Sequence, residues 1–331
     1  RCFKMSRNNR IYNILIALGI VLIVNVKVAN ATTITFDDMS NLSSFILNDR
    51  TAVVHGVTDD DNGPTINTVL NGDGEKVLRL TDSLGFISGT AFLENTISLT
   101  NNRSFSTAFK FQITNPVGAV DSDGVTGADG LALVLQGVGN NVGGVGGGMG
   151  YQGLSPSLAV EFDTWDNDIS FPGFDDPNGN HVGINLNGNI ISEITTADVP
   201  GSNLPAHMNN GDNWYSWIDY DGSQNLLEVR LITLTTPEQI IIRPTAALLS
   251  YSIDLESILP SDLFIGFASG TGSGRNTHDI KSWEFIDTFE PIDSEVTVPE
   301  PTTVALLGIG LAGLGAGYLR RSRKQRIKKS Q

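Results

Sequence analysis

The segment SFSTAFKFQI, residues 104–113, alternates strictly, with Phe105, Thr107, Phe109 and Phe111 on one face. A period of two belongs to a half-buried strand and cannot settle as a helix. NWYSWIDYDGSQNLLEVRLI (213–232) reads as two strands about the turn DGSQN, a hairpin. LFIGFASG (263–270) reads as a buried strand running into a glycine-rich loop. Nowhere in the body does a helical period last beyond a turn or two, and no internal repeat is present. Such a chain must bury its apolar residues between sheets, which predicts an all-β, two-sheet sandwich forming one domain of about 250 residues. The 36 glycines and the low charged fraction of 17% fit a loop-rich β protein.

Charge is distributed unevenly. Of the 21 Lys and Arg, five lie in residues 1–31 and seven in residues 320–331. The body between them carries nine basic against all 36 acidic residues, a balance of −27. Such a body repels phosphate backbones, which excludes nucleic acid as its partner, and it favours cations.

The basic ends read as targeting segments. Met5 to Arg10 form a positive region, followed by the apolar run IYNILIALGIVLIV and by Ala-Asn-Ala at 29–31. This pattern predicts a secretory signal peptide over 5–31, with the mature chain starting at Thr32. Residues 1–4 precede Met5, the expected initiator, and the only cysteine, Cys2, goes with this segment. An exported chain without disulfides must rely on its core and on metals. At the other end, Val304 to Leu319 are apolar or small, about 24 Å of helix against a bilayer core of about 30 Å. The basic cluster behind it should stay cytoplasmic, leaving the body outside the inner membrane. Pro299-Glu300-Pro301, the apolar helix and the terminal arginine cluster together resemble the PEP-CTERM sorting signal of Gram-negative bacteria. That resemblance implies processing by the membrane enzyme exosortase and delivery to the cell surface or extracellular matrix. The expected organisation is a signal peptide at 5–31, a domain at 32–291, a linker at 292–298 and a sorting signal at 299–329.

The stretch AVEFDTWDN, residues 159–167, raises the functional question. Ala159, Glu161, Asp163 and Trp165 share one strand face, so two carboxylates project side by side about 7 Å apart. Val160, Phe162 and Thr164 share the opposite, core-facing side. Unless water reaches both acids, the pair needs a proton or a cation. A solvated polar face, an enzymatic acid/base pair and half of a metal site are all open at this point. Downstream, Asn167 offers an amide oxygen, Asp176 a carboxylate before Pro177, and His181 an imidazole. Oxygen ligands suit Ca²⁺, and one added imidazole suits Mn²⁺ or a similar transition ion.

Over residues 34–289 the sequence resembles the legume-type (L-type) lectins. The pattern is carried by AVEFDTWDN, DPNGNHVGINLN (176–187), SFSTAFKF (104–111), Ala128-Asp129-Gly130 and SGTGSGRNTHDIKSWEF (269–285). What the resemblance implies is a concanavalin-like jelly-roll sandwich with Ca²⁺ and Mn²⁺ beside a shallow sugar pocket. It implies Glu161, Asp163, Asp176 and His181 as transition-metal ligands, with Asp163 and Asp176 bridging to Ca²⁺. The Trp165 carbonyl and the Asn167 side chain would complete the calcium shell. The implied sugar site has Asp129 as acceptor, the Asn167 amide and a Gly147 N–H as donors, and Trp165 against the pyranose. Thr271 and Gly272 belong to the loop that sets sugar preference, and Ala128–Asp129 is implied to be a cis peptide. The implied partner is a glycan or exopolysaccharide.

Other features are assigned more plainly. The glycine-rich stretch 137–153 lacks the ending and following helix of a phosphate loop. Phe171 and Phe174 are expected as hydrophobic plugs or as part of the sugar rim. His55 and His207 have no evident partner, and DDDNG (59–63) and DSDG (121–124) are expected as turns. His278-Asp279 has no accompanying Ser or Cys motif and is expected to be structural. Two alternatives to a lectin remain: a glycoside hydrolase of related fold, and a matrix protein with a silent sugar site. Against the first, the positions where a third catalytic acid would stand are Trp165 and Asp166.

Overall fold

The computed structural model describes residues 31–51, 67–71, 74–99, 102–144, 146–167, 173–234 and 241–293. The expected signal peptide, sorting helix, His55, DDDNG and Phe171 lie outside these residues, and no helix within them is long and apolar enough to cross a membrane.

Sixteen strands are described. In chain order they are β1 (Thr33–Phe36), β2 (Phe45–Thr51), β3 (Asn67–Leu70), β4 (Lys76–Thr81), β5 (Ile87–Leu93) and β6 (Ile97–Ser98). Then follow β7 (Phe105–Gly118), β8 (Gly130–Gln136), β9 (Ser157–Asp163), β10 (His181–Leu186) and β11 (Ile194–Thr195). The last are β12 (Asn213–Asp221), β13 (Leu226–Leu234), β14 (Leu249–Ser252), β15 (Asp262–Gly270) and β16 (Gly274–Ile286). A one-turn helix, α1 (Leu255–Ile258), is capped by Asp254, whose carboxylate accepts from the Glu256 N–H at 3.0 Å.

The strands form two antiparallel sheets. One runs β14-β13-β12-β7-β16-β4-β3 with β1 paired to β16; the other runs β11-β10-β9-β8-β15-β5-β2 with β6 paired to β15. The alternation read from the sequence sets which side is buried. Phe109 of β7 meets Phe162 of β9 edge-on at 5.6 Å and Phe267 of β15 at 5.2 Å, so the inner faces interlock through aromatic rings. Trp283 stacks on Phe36 at 5.9 Å and tethers β1. The hairpin forms as expected, with β12 and β13 paired from Asn213↔Leu234 to Asp221↔Leu226.

The outer face of the first sheet is partly covered by its own chain. Ile241 and Ile292 pack there with Ala108, Trp217 and Ile286. Ile292, expected to begin the linker, is only 8% exposed, so packing continues past residue 291. A trough of about 720 Å³, lined by residues including Glu75, Lys110, Tyr215 and Lys281, also crosses this face, on the sheet opposite the carboxylates of β9.

Candidate functional site

Glu161 and Asp163 project from β9 on the side turned away from the aromatic core, as alternation requires. That side is dry. The glycine-rich stretch after β8 comes back across it, and Met149, Tyr151 and Leu154 pack with Ala132, Ala159 and Ile190. Glu161 and Asp163 are each 2% exposed, which rules out a solvated polar face.

Neighbouring strands supply the rest. β10 sets His181 opposite Asp163 and Gly183 opposite Glu161. A Cβ on Gly183 would stand 2.5 Å from Glu161 Oε1 and 2.2 Å from Ser192 Oγ, so only glycine leaves room for that carboxylate. The segment between β9 and β10 carries Asp176, whose Oδ2 accepts the Asn167 N–H at 2.9 Å. Asp163 Oδ1 accepts the Trp165 N–H at 2.7 Å, which turns the chain sharply after β9. Potential ligand atoms of Asp163, Asp176 and His181 lie within 4.8 Å of one another. Glu161 stands beside them, its Oε1 3.5 Å from His181 Nε2. Both of its oxygens also accept from hydroxyls: Oε2 from Tyr151, and Oε1 from Ser192 at 2.6 Å.

The electrostatics are those of crowded, desolvated acids. Burial, then the charges of Asp176 and Glu161, push the Asp163 carboxyl well above its ordinary range. Asp176 is raised to about 7, mainly by burial, with His181 opposing and Glu161 adding to the shift. Burial alone would lower the His181 pKa, but the carboxylates of Glu161 and Asp176 raise it. His181 Nδ1 is 2.9 Å from the Asn178 carbonyl, which fixes that nitrogen as a donor and turns Nε2 toward Glu161, the atom that a cation would take in place of a proton. That Nε2, Asn167 Oδ1 and Asp129 Oδ2 are all buried without a hydrogen-bond partner. Buried polar atoms without partners beside mutually repelling carboxylates are what divalent cations would satisfy, so the residues fit such ions.

Of the residues expected for sugar, Gly147 meets Asn167 directly. A Cβ on Gly147 would lie 2.5 Å from Asn167 Oδ1 and 2.6 Å from the ring of Phe174, so the glycine backbone packs directly on the amide. Asp129, 3% exposed, follows a cis Ala128–Asp129 peptide. Gly272 lies alongside, with its ideal Cβ 3.5 Å from Asp129 Oδ2. The Trp165 ring lies against Gly274 and is partly buried. Thr271 departs from its expected place in the sugar loop. It is fully buried, and its hydroxyl donates to the Leu84 carbonyl at 2.6 Å and accepts from the Ile87 N–H at 3.2 Å, so it anchors the loop inward. Phe174 is partly buried and packs with the cluster under the glycine stretch, closer to a plug than to an exposed rim.

Some supporting residues have no plain sequence signal. Ser192 reaches Glu161 from an ordinary loop. Asp121 does form the expected turn, but its Oδ2 also accepts the Asp166 N–H at 2.9 Å and so braces the segment bearing Trp165 and Asn167. His207, expected to be unpartnered, lies 3.5 Å from Asp123. His278 and Asp279 point to different partners: Thr81 Oγ1 at 2.6 Å for the imidazole, and the Arg79 guanidinium at 2.9 and 3.0 Å for the carboxylate.

Comparison with known proteins agrees with this architecture. The legume lectin domain matches residues 63–300, and the PEP-CTERM protein-sorting motif matches residues 297–324. The strands β1 and β2 precede the matched region yet pair within the sheets, with β16 and β5 respectively. The "Probable L-type lectin-domain containing receptor kinase S.7" of Arabidopsis thaliana is 32% identical over 233 residues, covering 66% of this chain and 32% of that protein. The chain thus spans about a third of that relative's length. Among solved structures, the basic winged bean lectin with Tn-antigen is 25% identical at a TM-score of 0.56, covering 78% of this chain and 98% of the lectin. The acidic winged bean lectin complexed with methyl-α-D-galactose is likewise 25% identical at 0.56, covering 77% and 98%. With its sandwich, its acidic-imidazole cluster and its sorting motif in place, the chain belongs to the legume lectin family and carries a PEP-CTERM signal.

Proposed function

We propose that this protein is a non-catalytic, metal-dependent glycan-binding protein. Glu161, Asp163, Asp176 and His181 would hold a transition ion such as Mn²⁺; Asp163, Asp176, the Trp165 carbonyl and Asn167 Oδ1 would hold Ca²⁺. When bound, the ions supply positive charge that keeps these carboxylates ionised and fixes the loop behind them. Coordination through Asn167 Oδ1 orients its amide nitrogen outward as a donor. Asp129 accepts from sugar hydroxyls, a Gly147 N–H donates, and Trp165 covers the apolar face of the ring. The observation that carries this reading is the set of buried polar atoms without a hydrogen-bond partner, Asn167 Oδ1, Asp129 Oδ2 and His181 Nε2, on residues that lie beside Asp176 or the carboxylates of β9.

The burial of Glu161 speaks against the hydrolase alternative. A catalytic carboxylate must reach substrate, whereas Glu161 is 2% exposed with both oxygens bonded to hydroxyls. The PEP-CTERM motif supports export, exosortase processing and a place at the cell surface or in the matrix, with Val304–Leu319 as the membrane segment of the precursor. The expected folded unit is the domain at 32–291, with the buried Ile292 packed onto it.

A glycan array probed in Ca²⁺ and Mn²⁺, and again in chelator, tests this function. Metal-dependent binding is expected, without release of reducing ends from polysaccharide. Silence on the array would favour the structural alternative, and release of reducing ends the enzymatic one. His181→Ala separates the two ions: imidazole is a common transition-metal ligand and a rare calcium ligand. Mn²⁺ affinity should fall at least tenfold with Ca²⁺ affinity changing much less. Equal losses would mean that His181 supports the segment and is not a ligand.

A further inference from the structure

The glycine-rich stretch between β8 and β9 has a holding problem. Residues 137–153 contain nine glycines, each of which loses more backbone freedom on ordering than any other residue. The stretch nevertheless presents Gly147 against Asn167 at close contact. Few side chains are available to pin it. Asn140 and Val142 are held at the far end, through their carbonyls, by Asn48 at 2.7 Å and Thr90 at 2.6 Å. Near Gly147, Met149 and Tyr151 are the large side chains that go down into the outer face of the sheet.

Only one of these two carries a polar group, and it goes to the metal cluster. Tyr151 is 0% exposed, four residues after Gly147, and its hydroxyl donates to Glu161 Oε2. The Tyr151 N–H closes a turn on the Gly148 carbonyl at 3.0 Å, and Met149 N–H closes one on Gly146 at 2.8 Å. Between the phenol and Gly147 the backbone is therefore a compact hydrogen-bonded turn and not a slack tether. Ser192 holds the other oxygen of Glu161, and its hydroxyl also reaches Asn185 Oδ1 at 3.1 Å on β10.

We propose that Tyr151 is the positioning residue through which the metal centre orders the sugar-facing glycine turn. A carboxylate fixed by an ion presents Oε2 in one place, and the phenol, through a charge-assisted hydrogen bond, fixes the turn to it. Tyr151 itself touches neither ion nor sugar. The proposal rests on the metal and sugar roles given above, and its test separates the two.

The test is hydrogen–deuterium exchange of the purified chain with and without Ca²⁺ and Mn²⁺, comparing wild type, Tyr151→Phe and Ser192→Ala. In wild type and Ser192→Ala, metal should slow exchange at least tenfold both in β9 and β10 and in residues 146–154. In Tyr151→Phe the strands should keep that response while residues 146–154 lose it. On any glycan bound by wild type, Tyr151→Phe should bind at least tenfold more weakly at unchanged metal content. Tyr151→Met, which fills the apolar volume without a hydroxyl, gives the same readout should the phenylalanine variant not fold. An identical metal response of residues 146–154 in wild type and both Tyr151 variants overturns the coupling. A wild type with no metal response anywhere overturns the metal reading on which it stands. A wild type that responds to metal but binds no sugar leaves the coupling supported and overturns only the sugar role.

Discussion

Asp129→Asn is expected to abolish measurable glycan binding while leaving bound calcium unchanged. Asp129 Oδ2 is buried, lacks a partner, and lies beside Gly272 at the edge of the Asn167 cluster. Burial first, and the Asp176 charge second, push its carboxyl well above the ordinary range. Nearby cations would favour the ionised form, which accepts hydrogen bonds at both oxygens. The asparagine keeps the shape but sets a donor where a sugar hydroxyl needs an acceptor. Hydrogen bonds to charged groups are worth about 1.5–3 kcal/mol, so affinity should fall at least tenfold. Titration with an array-selected sugar, alongside calcium analysis, reads both halves. Undiminished sugar binding with intact metal would move the pocket elsewhere.

Chelation should lower the melting temperature by roughly 10 °C. Ions present at a thousandfold excess over Kd stabilise by about 4 kcal/mol. Each kcal/mol shifts the melting temperature of a domain of this size by about 2–4 °C. The physical source is the cluster of Glu161, Asp163, Asp176 and His181, where desolvated carboxylates face one another. Melting curves with and without EDTA, paired with elemental analysis, check this. An unchanged midpoint and no bound metal would contradict it.

The sequence was legible wherever chemistry follows a short period. Alternation in SFSTAFKFQI put Phe105, Phe109 and Phe111 into the core, and alternation in AVEFDTWDN put Glu161 and Asp163 together on the other face of β9. Family pattern and spacing also pointed to Asp176 and His181, because the expected ligands lie on one strand pair and the segment joining it. What could not be read was the cover over that face. Whether Glu161 is wet depends on Tyr151 and Ser192 arriving from loops 10 positions before and 31 after it, which no local period encodes. Thr271 illustrates the same limit. The family resemblance implies a place in the sugar loop, but its hydroxyl finds the backbone of Leu84 and Ile87, nearly 190 residues away in sequence. Ile292 joins the body for a similar reason, since the partner it covers, Trp217, lies on a strand from mid-chain.

The central claim, that a metal-braced site holds a glycan, is tested most directly by one titration in three states. A single array-selected sugar is titrated into the protein as purified in Ca²⁺ and Mn²⁺, after chelation, and after both ions are returned. Binding should be present, lost, and restored, because in the proposed site the ions would hold Asn167 and the turn bearing Gly147 in place. Equal affinity in all three states would contradict the account.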